Sequence, residues 1–390
     1  MKTLRLKKKE DRRLRRGHPW AFSNELEKGL SDVEPGEPVL LEDYAGRPVG
    51  VGYANPKSLI AVRLMARPGE EVGYALIRER VVRAKALREA FYPGRDMYRA
   101  VFSESDLLPG LVVDRYGRWL AVQCLTAGME RMLPDVLEAL TDVYSPEGIV
   151  LRNDSRQRLL EGLPEEKKIL FGEYAGAVEA GISGLRFRVD ILGGQKTGFF
   201  LDQVDNYALL EKTAPGADML DLFCHTGAWA VAALKAGAAS ALGIDSSQPA
   251  LDRAAENARL NGFEARARFE REDVFDAMRR LSGQGRSFGV VVADPPAFIK
   301  SRARVAEGLK GYRDLNVRAM RLVSPGGYFI SSSCSHHLDR DGFFEMLRAA
   351  ASGAGRTAVV VEARSQSKDH PVLLAAPETE YLKCALMKVW

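Results

Sequence analysis

No apolar run in this 390-residue sequence approaches the roughly 18 residues a bilayer-spanning helix needs, which excludes a helical membrane protein. The N-terminus, MKTLRLKKKEDRRLRRGHPW, is charged but has no apolar segment behind it, so it does not read as a secretory signal. Cysteine is scarce: Cys124, Cys224, Cys334 and Cys384 are scattered, with no C-x-x-C pair. That scarcity excludes a disulfide scaffold, leaves no ligand spacing for a structural zinc site, and fits a reduced cytoplasmic protein. Internal repeats are absent too. So is a complete G-x-G-x-x-G turn of the kind that brings backbone against a dinucleotide pyrophosphate.

What is present is ordinary globular composition, 46% hydrophobic and 28% charged, at a length that implies two or three domains. The net charge of +4 is unevenly placed. Residues 1–16 carry nine basic side chains against Glu10 and Asp11, a local +7, and the remaining 47 basic and 50 acidic residues sum to −3. A basic arm on a near-neutral body is the pattern of a phosphate-backbone contact, with Arg12, Arg13, Arg15 and Arg16 as the candidate RNA-binding residues. A solvated, frayed terminus is the alternative. Residues 8–16 are expected to form one helix, broken at Gly17-His18-Pro19-Trp20.

Three blocks follow from the pattern of turns and periodicity. Residues 1–70 alternate short strand-like runs (PGEPVLLED, YAGRPVGVGYAN, SLIAVRLM) with Gly/Pro turns, a small β-rich module. Residues 71–180 read as an α+β unit: a helix over 74–91, two strands in LLPGLVVDRYGRWLAVQCL turning at Asp114 to Gly117, a helix beginning or broken at Pro134, and the strand GIVLRND. Residues 181–390 alternate strand and helix, which calls for an α/β, doubly wound, mainly parallel sheet. The strand candidates there are DMLDLF, SALGID, ARFERED, GVVVADPP, GYFISSSC, AVVVEAR and YLKCALMKV. The last could pair within the sheet or between chains, so a homodimer stays open. Ligands of such sheets sit beyond the C-terminal strand ends.

Acids stand at three of those ends. Asp221 opens the loop to Gly227; Asp245 and Ser246 follow the second strand, 24 residues on; Glu272 and Asp273 follow the third. An acid after strand two accepts both hydroxyls of a ribose, and one after strand three receives an adenine amino group. A single such acid would be read as a helix N-cap. Asp221 would repel a pyrophosphate but attract a cationic amino-acid head group, which selects S-adenosylmethionine as cofactor. Upstream, Gly193 to Gln203 (GGQKTGFFLDQ) sets glycines around a polar cluster, and its place before the first sheet strand suggests a lid over the cofactor.

The fourth strand ends in Asp294-Pro295-Pro296-Ala297-Phe298, a polar hook for a planar nitrogen heterocycle whose backbone the prolines fix. Enzymes that methylate exocyclic amines place an aromatic directly after the prolines; here Ala297 holds that place, which weighs against an amine target. The fifth strand ends in Ser333-Cys334-Ser335-His336-His337. A thiolate at that tip can add to carbon 6 of a pyrimidine and make carbon 5 nucleophilic towards a sulfonium methyl. Asp294 near ring nitrogen 3 would share a proton with the adduct. Cys334 as a buried core residue is the plain alternative, Cys224 reads as packing, and a zinc site from Cys334, His336 and His337 has no fourth ligand. The two histidines could instead lower the thiol pKa or meet RNA phosphate.

These motifs together resemble the ribosomal RNA large-subunit methyltransferase I family over essentially the whole chain. The first block looks like its PUA domain. The second carries E-S-D-x-L-P-G-L-V-V-D-R-Y, from Glu104 to Tyr116. The third looks like its Rossmann-like seven-stranded methyltransferase domain, with G-Q-K-T-G-F-F-L-D-Q, D-L-F-C-H-T-G, D-P-P-A-F and S-S-C-S. The resemblance implies 5-methylcytosine formation in 23S ribosomal RNA, with Cys334 as nucleophile and Asp294 as the base-contacting acid. It further implies that Gln195, Lys196, Thr197, Gly198, Phe199, Asp221, Phe223, Gly227, Asp245, Ser246, Asp273 and Asp294 line the cofactor pocket. Many cytosine methyltransferases carry a second cysteine where Pro296 stands, so one cysteine here must attack and be released with help from another base. Uridine carbon 5 or amine methylation, or a non-catalytic RNA-binding assembly role, are the competing expectations.

Overall fold

The computed structural model describes residues 1–390, which separate into two compact units. The first comprises Met1–Gly181, Val189–Leu201 and Lys368–Thr379, so the two N-terminal blocks of the sequence pack as one body. It holds two five-stranded sheets. In one, strands Lys2–Arg5, Glu37–Glu42, Pro48–Ala54, Val62–Ala66 and Trp20–Ala21 lie in that order around a core that includes Leu6, Leu14, Val39 and Leu41. In the other, strands Glu166–Phe171, Gly148–Asn153, Trp119–Cys124, Leu111–Tyr116 and Met97–Phe102 are covered by helices Tyr74–Phe91 and Leu133–Tyr144. The turn between the central pair falls at Gly117-Arg118, later than its sequence suggests, because Asp114 stays in the ladder, buried and bonded to Arg99.

The basic N-terminal stretch is structured. Lys2–Arg5 is a strand paired in parallel with residues 39–42, and the helix is only Asp11–Arg15. The expected helix over 8–16 is cut short because Lys9 takes a left-handed φ of 74°, which ends any helical run through it. Gly17, at φ 95°, ends the helix on the other side.

The second unit, Ile182–Arg188, Asp202–Ser367 and Glu380–Trp390, is built on one seven-stranded sheet. Its strands are β1 (Asp218–Leu222), β2 (Ser240–Asp245), β3 (Ala267–Arg271), β4 (Phe288–Ala293), β5 (Val323–Ser333), β6 (Ala358–Arg364) and β7 (Lys383–Val389), in the order β3-β2-β1-β4-β5-β7-β6. Helices α1 (Ala228–Lys235), α2 (Gln248–Leu260), α3 (Val274–Gly283), α4 (Val305–Arg321) and α5 (Arg340–Ala354) connect them. Strands β1 to β5 pair in parallel, while β7 runs antiparallel between β5 and β6. The C-terminal strand therefore pairs within its own sheet. The central strands are apolar on both faces (Leu220, Leu222, Val290, Val291, Phe329), as a sheet covered by helices on both sides requires. No helix is long and apolar enough to cross a membrane.

Candidate functional site

The order reverses at β1, between β2 and β4, and the loops leaving these strand tips carry the unusual residues. Asp221, next to last in β1, is fully buried at 0% exposure. Its Oδ2 accepts the Ala230 N–H at 3.2 Å, but Oδ1 is buried with no hydrogen-bond partner. Burial, reinforced by Asp294 and Asp245, holds this carboxyl well above the usual carboxylate range. A buried, unsatisfied acidic oxygen is costly unless a donor or cation meets it, so the position suits a ligand bearing an ammonium group.

The loop after β1 is bent by three left-handed residues, Phe223 (φ 65°), His225 (φ 47°) and Gly227 (φ 77°). Two of them have side chains, and such backbone persists only where the surrounding structure over-determines it. At Gly227 a Cβ would stand 2.9 Å from Ala254 Cβ, so only glycine suits that approach. The His225 N–H is donated to Asp245 Oδ2 at 2.9 Å, and the Ser247 N–H to Asp245 Oδ1 at 2.9 Å, fixing the carboxylate at the tip of β2. Ser246 beside it is exposed. Asp273 is exposed and acts as the N-cap of α3, with Oδ1 accepting from Phe275 and Asp276 N–H groups. Of the acids at the three strand ends, only the one after the third, Asp273, serves as a helix cap.

Asp294 leaves the tip of β4 with both oxygens held: Oδ1 accepts from Gln203 Nε2 at 2.9 Å and Oδ2 from Trp229 Nε1 at 3.1 Å. Gln203 Oε1 in turn accepts from Asn206 at 2.7 Å, which fixes the amide with its NH2 towards Asp294. Tyr207 meets Trp229 edge-on, with ring centroids 4.8 Å apart. Burial first, then Asp294, Asp202 and Asp221, push its phenol well up. Phe298 packs against Tyr312 at 4.7 Å and Phe223 at 6.4 Å, tying the β4 loop to the β1 loop. Trp229, Asn206 and Tyr207 were not singled out in the sequence. Nothing local marks them, because their role exists only across strand tips.

Ala293 of β4 is in register with Ser331 of β5, so Asp294 and Cys334 leave adjacent strands. Cys334 is half-buried, whereas Cys124, Cys224 and Cys384 are buried. Burial pushes all three of those thiols up, Cys384 to about 12, so none of them is a thiolate near neutrality. The turn around Cys334 is pinned by Ser335, whose Oγ bonds Tyr312 Oη at 2.9 Å and accepts the Ile299 N–H at 3.3 Å. His336 and His337 are exposed, and His336 stacks on Tyr381 at 5.3 Å. No three His, Cys, Asp or Glu side chains converge as a metal-ligand set.

The remaining sequence candidates lie in the first unit. Gln195 and Lys196 are exposed, Lys196 with φ 51° and its ammonium 4.6 Å from the Phe200 ring centroid. Thr197 is fully buried, donating to Asp114 Oδ2 at 2.6 Å and bonded to Tyr116 Oη at 3.0 Å, so its hydroxyl anchors the loop. Gly198 has φ 105°, and Phe199 is buried. Of the four arginines, Arg13 forms a forked pair with Glu25 and Arg15 bridges Asp11 and Asp43, while Arg12 and Arg16 are exposed. A second basic stretch, interrupted in sequence by uncharged and acidic residues, emerges in the structure. Lys300, Arg302, Arg304, Lys310 and Arg313 are all exposed, on the loop after Asp294 and the start of α4.

A PUA-like domain model matches residues 4–67, and an S-adenosylmethionine-dependent methyltransferase model matches residues 156–364. The ribosomal RNA large subunit methyltransferase I of Tolumonas auensis is 36% identical over 387 residues, covering 98% of each chain. Among solved structures, a Streptococcus mutans protein assigned as an S-adenosylmethionine-dependent methyltransferase superposes over 100% of both chains with a TM-score of 0.85 at 20% identity. Another, a methyltransferase assignment crystallised with SAH, gives 0.86 at 20% identity, also over 100% of both chains. At that identity the structural likeness establishes the fold.

Proposed function

The chain belongs to the ribosomal RNA large subunit methyltransferase I family and is an S-adenosylmethionine-dependent methyltransferase; on that footing we propose that it methylates carbon 5 of a cytosine in large-subunit ribosomal RNA, with Cys334 as nucleophile. The observation that carries this reading is the isolation of Cys334, the only thiol of the four that is not buried, on the strand next to Asp294.

Bound S-adenosylmethionine supplies a methyl group made electrophilic by its sulfonium. Asp221 would hold the ammonium of that ligand through its unpartnered Oδ1, Asp245 the ribose hydroxyls, and Asp273 the adenine amino group. The Cys334 thiolate adds to carbon 6 of the pyrimidine, forming an S–C bond and moving the ring's electron pair towards carbon 5. Asp294, held by Gln203 and Trp229, faces the ring-nitrogen edge and shares a proton with nitrogen 3 of the adduct. After carbon 5 has taken the methyl, its proton leaves to a base, the double bond re-forms and the thiolate is expelled. Arg12 and Arg16, and the stretch from Lys300 to Arg313, offer positive charge to RNA phosphates.

The test is to incubate unmodified ribosomal RNA and S-adenosylmethionine with wild type or Cys334→Ala and identify modified nucleosides by mass spectrometry. The expected product is 5-methylcytosine with wild type alone. A fully active Cys334→Ala, or an N-methylated or uridine product, overturns the reading.

A further inference from the structure

Lys383, the first residue of β7, is a lysine only 8% exposed. The antiparallel pairing of β7 with β5 sets it in register with Ser333, the residue before Cys334. Its Nζ donates to the Ser335 carbonyl at 2.8 Å and to the Tyr381 carbonyl at 2.8 Å, and no carboxylate is close enough to pair with it. The ammonium is thus tied to the residue after Cys334 and lies opposite the residue before it. A buried ammonium whose partners are neutral carbonyls is poorly compensated, and two carbonyls leave one of its three N–H groups for an anion.

We infer that Lys383 is a positioning residue for Cys334, the fixed counter-charge that lets this cysteine exist as a thiolate. The inference rests on the reading of Cys334 as nucleophile and supplies what that reading lacks, a reason for the thiol to ionise. The pair forms when the S–H proton passes to a neutral Lys383 amine or to water, and no other bond changes. Burial brings the amine down to about 8, and the charge of Cys334 opposes that fall more than Glu380 or Asp339 does. The other groups around the turn are the Tyr312 phenol, which burial raises, and the exposed His336 and His337. None of these is a second buried cation.

The experiment is the rate of iodoacetamide alkylation of Cys334, read by peptide mass spectrometry from about pH 6 to about pH 9.5, without RNA or cofactor. The proteins are wild type, Lys383→Gln and Lys383→Arg. Gln keeps an NH2 donor for the carbonyls but not the charge; Arg keeps the charge. Wild type is expected to titrate below the ~8.5 of a free thiol. Lys383→Gln should move the profile up by at least about one pH unit, roughly tenfold slower alkylation near pH 7, with Lys383→Arg close to wild type. Superimposable wild-type and Lys383→Gln profiles overturn the inference. If neither variant folds, a wild-type profile at or above ~8.5 overturns it alone, and one below upholds it. The outcomes separate from those of the nucleoside assay. Methylation by Cys334→Ala defeats the nucleophile whatever the alkylation profile, and an unchanged profile beside an inactive Cys334→Ala defeats only the role of Lys383.

Discussion

The strand tips of the methyltransferase unit divide into two halves that solve different electrostatic problems. At β1 to β3 the site is acidic: Asp221 is buried with one oxygen unpartnered, Asp245 is locked by two backbone N–H groups, and Asp273 caps a helix. At β4 and β5 it is built from side chains that hold one another, with Gln203 and Trp229 on Asp294 and Tyr312 and Lys383 on the turn around Cys334. Backbone donors hold the carboxyl groups of one half in a single orientation ready for a cationic ligand. Side-chain donors suit a half that, in the proposed reaction, would change protonation. The lesson is that a row of acids at strand ends holds residues of unequal kind, and the partners of each oxygen separate them.

Substitutions sharpen or break that division. The largest effect is expected from Cys334→Ala, a loss of methylation of about 10³-fold or more with cofactor affinity unchanged, checked by nucleoside analysis and calorimetry. Weakened cofactor binding in that variant would blur the two halves. Asp221→Asn should do the reverse, weakening S-adenosylmethionine by about 10- to 100-fold. It should also flatten the pH dependence of the cofactor-free protein. The folded-state pKa of Asp221 is raised, so the folded chain holds this proton more tightly than the unfolded chain. Stability is therefore greatest below the ordinary carboxylate value near 4 and falls as pH rises towards the raised value. Thermal unfolding of Asp221→Asn should lack that decline; an unaltered curve would mean the carboxyl is not the buried charge described.

Charge reversal at Arg302 and Arg304 tests whether the half around Cys334 also carries the RNA backbone. The expected result is a salt dependence of RNA binding shallower by about 1 to 2 in log–log slope, while Arg13→Ala, which breaks the pair with Glu25, leaves the slope alone. Equal slopes for wild type and the double reversal would remove this loop from the interface. The smallest effect is expected at Asp273→Ala, about 1 kcal/mol of stability from the lost cap of α3. Chemical denaturation checks it.

Much of this was legible because it is local. Alternating apolar strands and amphipathic helices predict the seven-stranded unit, and turn chemistry places Asp221, Asp245, Asp294 and Cys334 immediately at strand ends. The basic N-terminus shows where local reading stops. Counted along the chain, its arginines look alike, yet Arg13 and Arg15 are taken up by Glu25 and Asp43, which reach them only through folding. The more exposed basic stretch after Asp294 is diluted in sequence by Ser301, Ala303 and Glu307 and draws no notice.

By itself, then, the sequence determined the kind of sheet, the acids and the cysteine at its strand ends, and through them the class of chemistry, because periodicity and turn residues act over a few positions. Tertiary structure alone decided which acid is orphaned and which is a helix cap, which cysteine is reachable, and that Lys383 lies across from Ser333. Burial and counter-charge depend on residues brought together from distant parts of the chain, here by an antiparallel last strand inserted between β5 and β6. No local pattern encodes that neighbourhood.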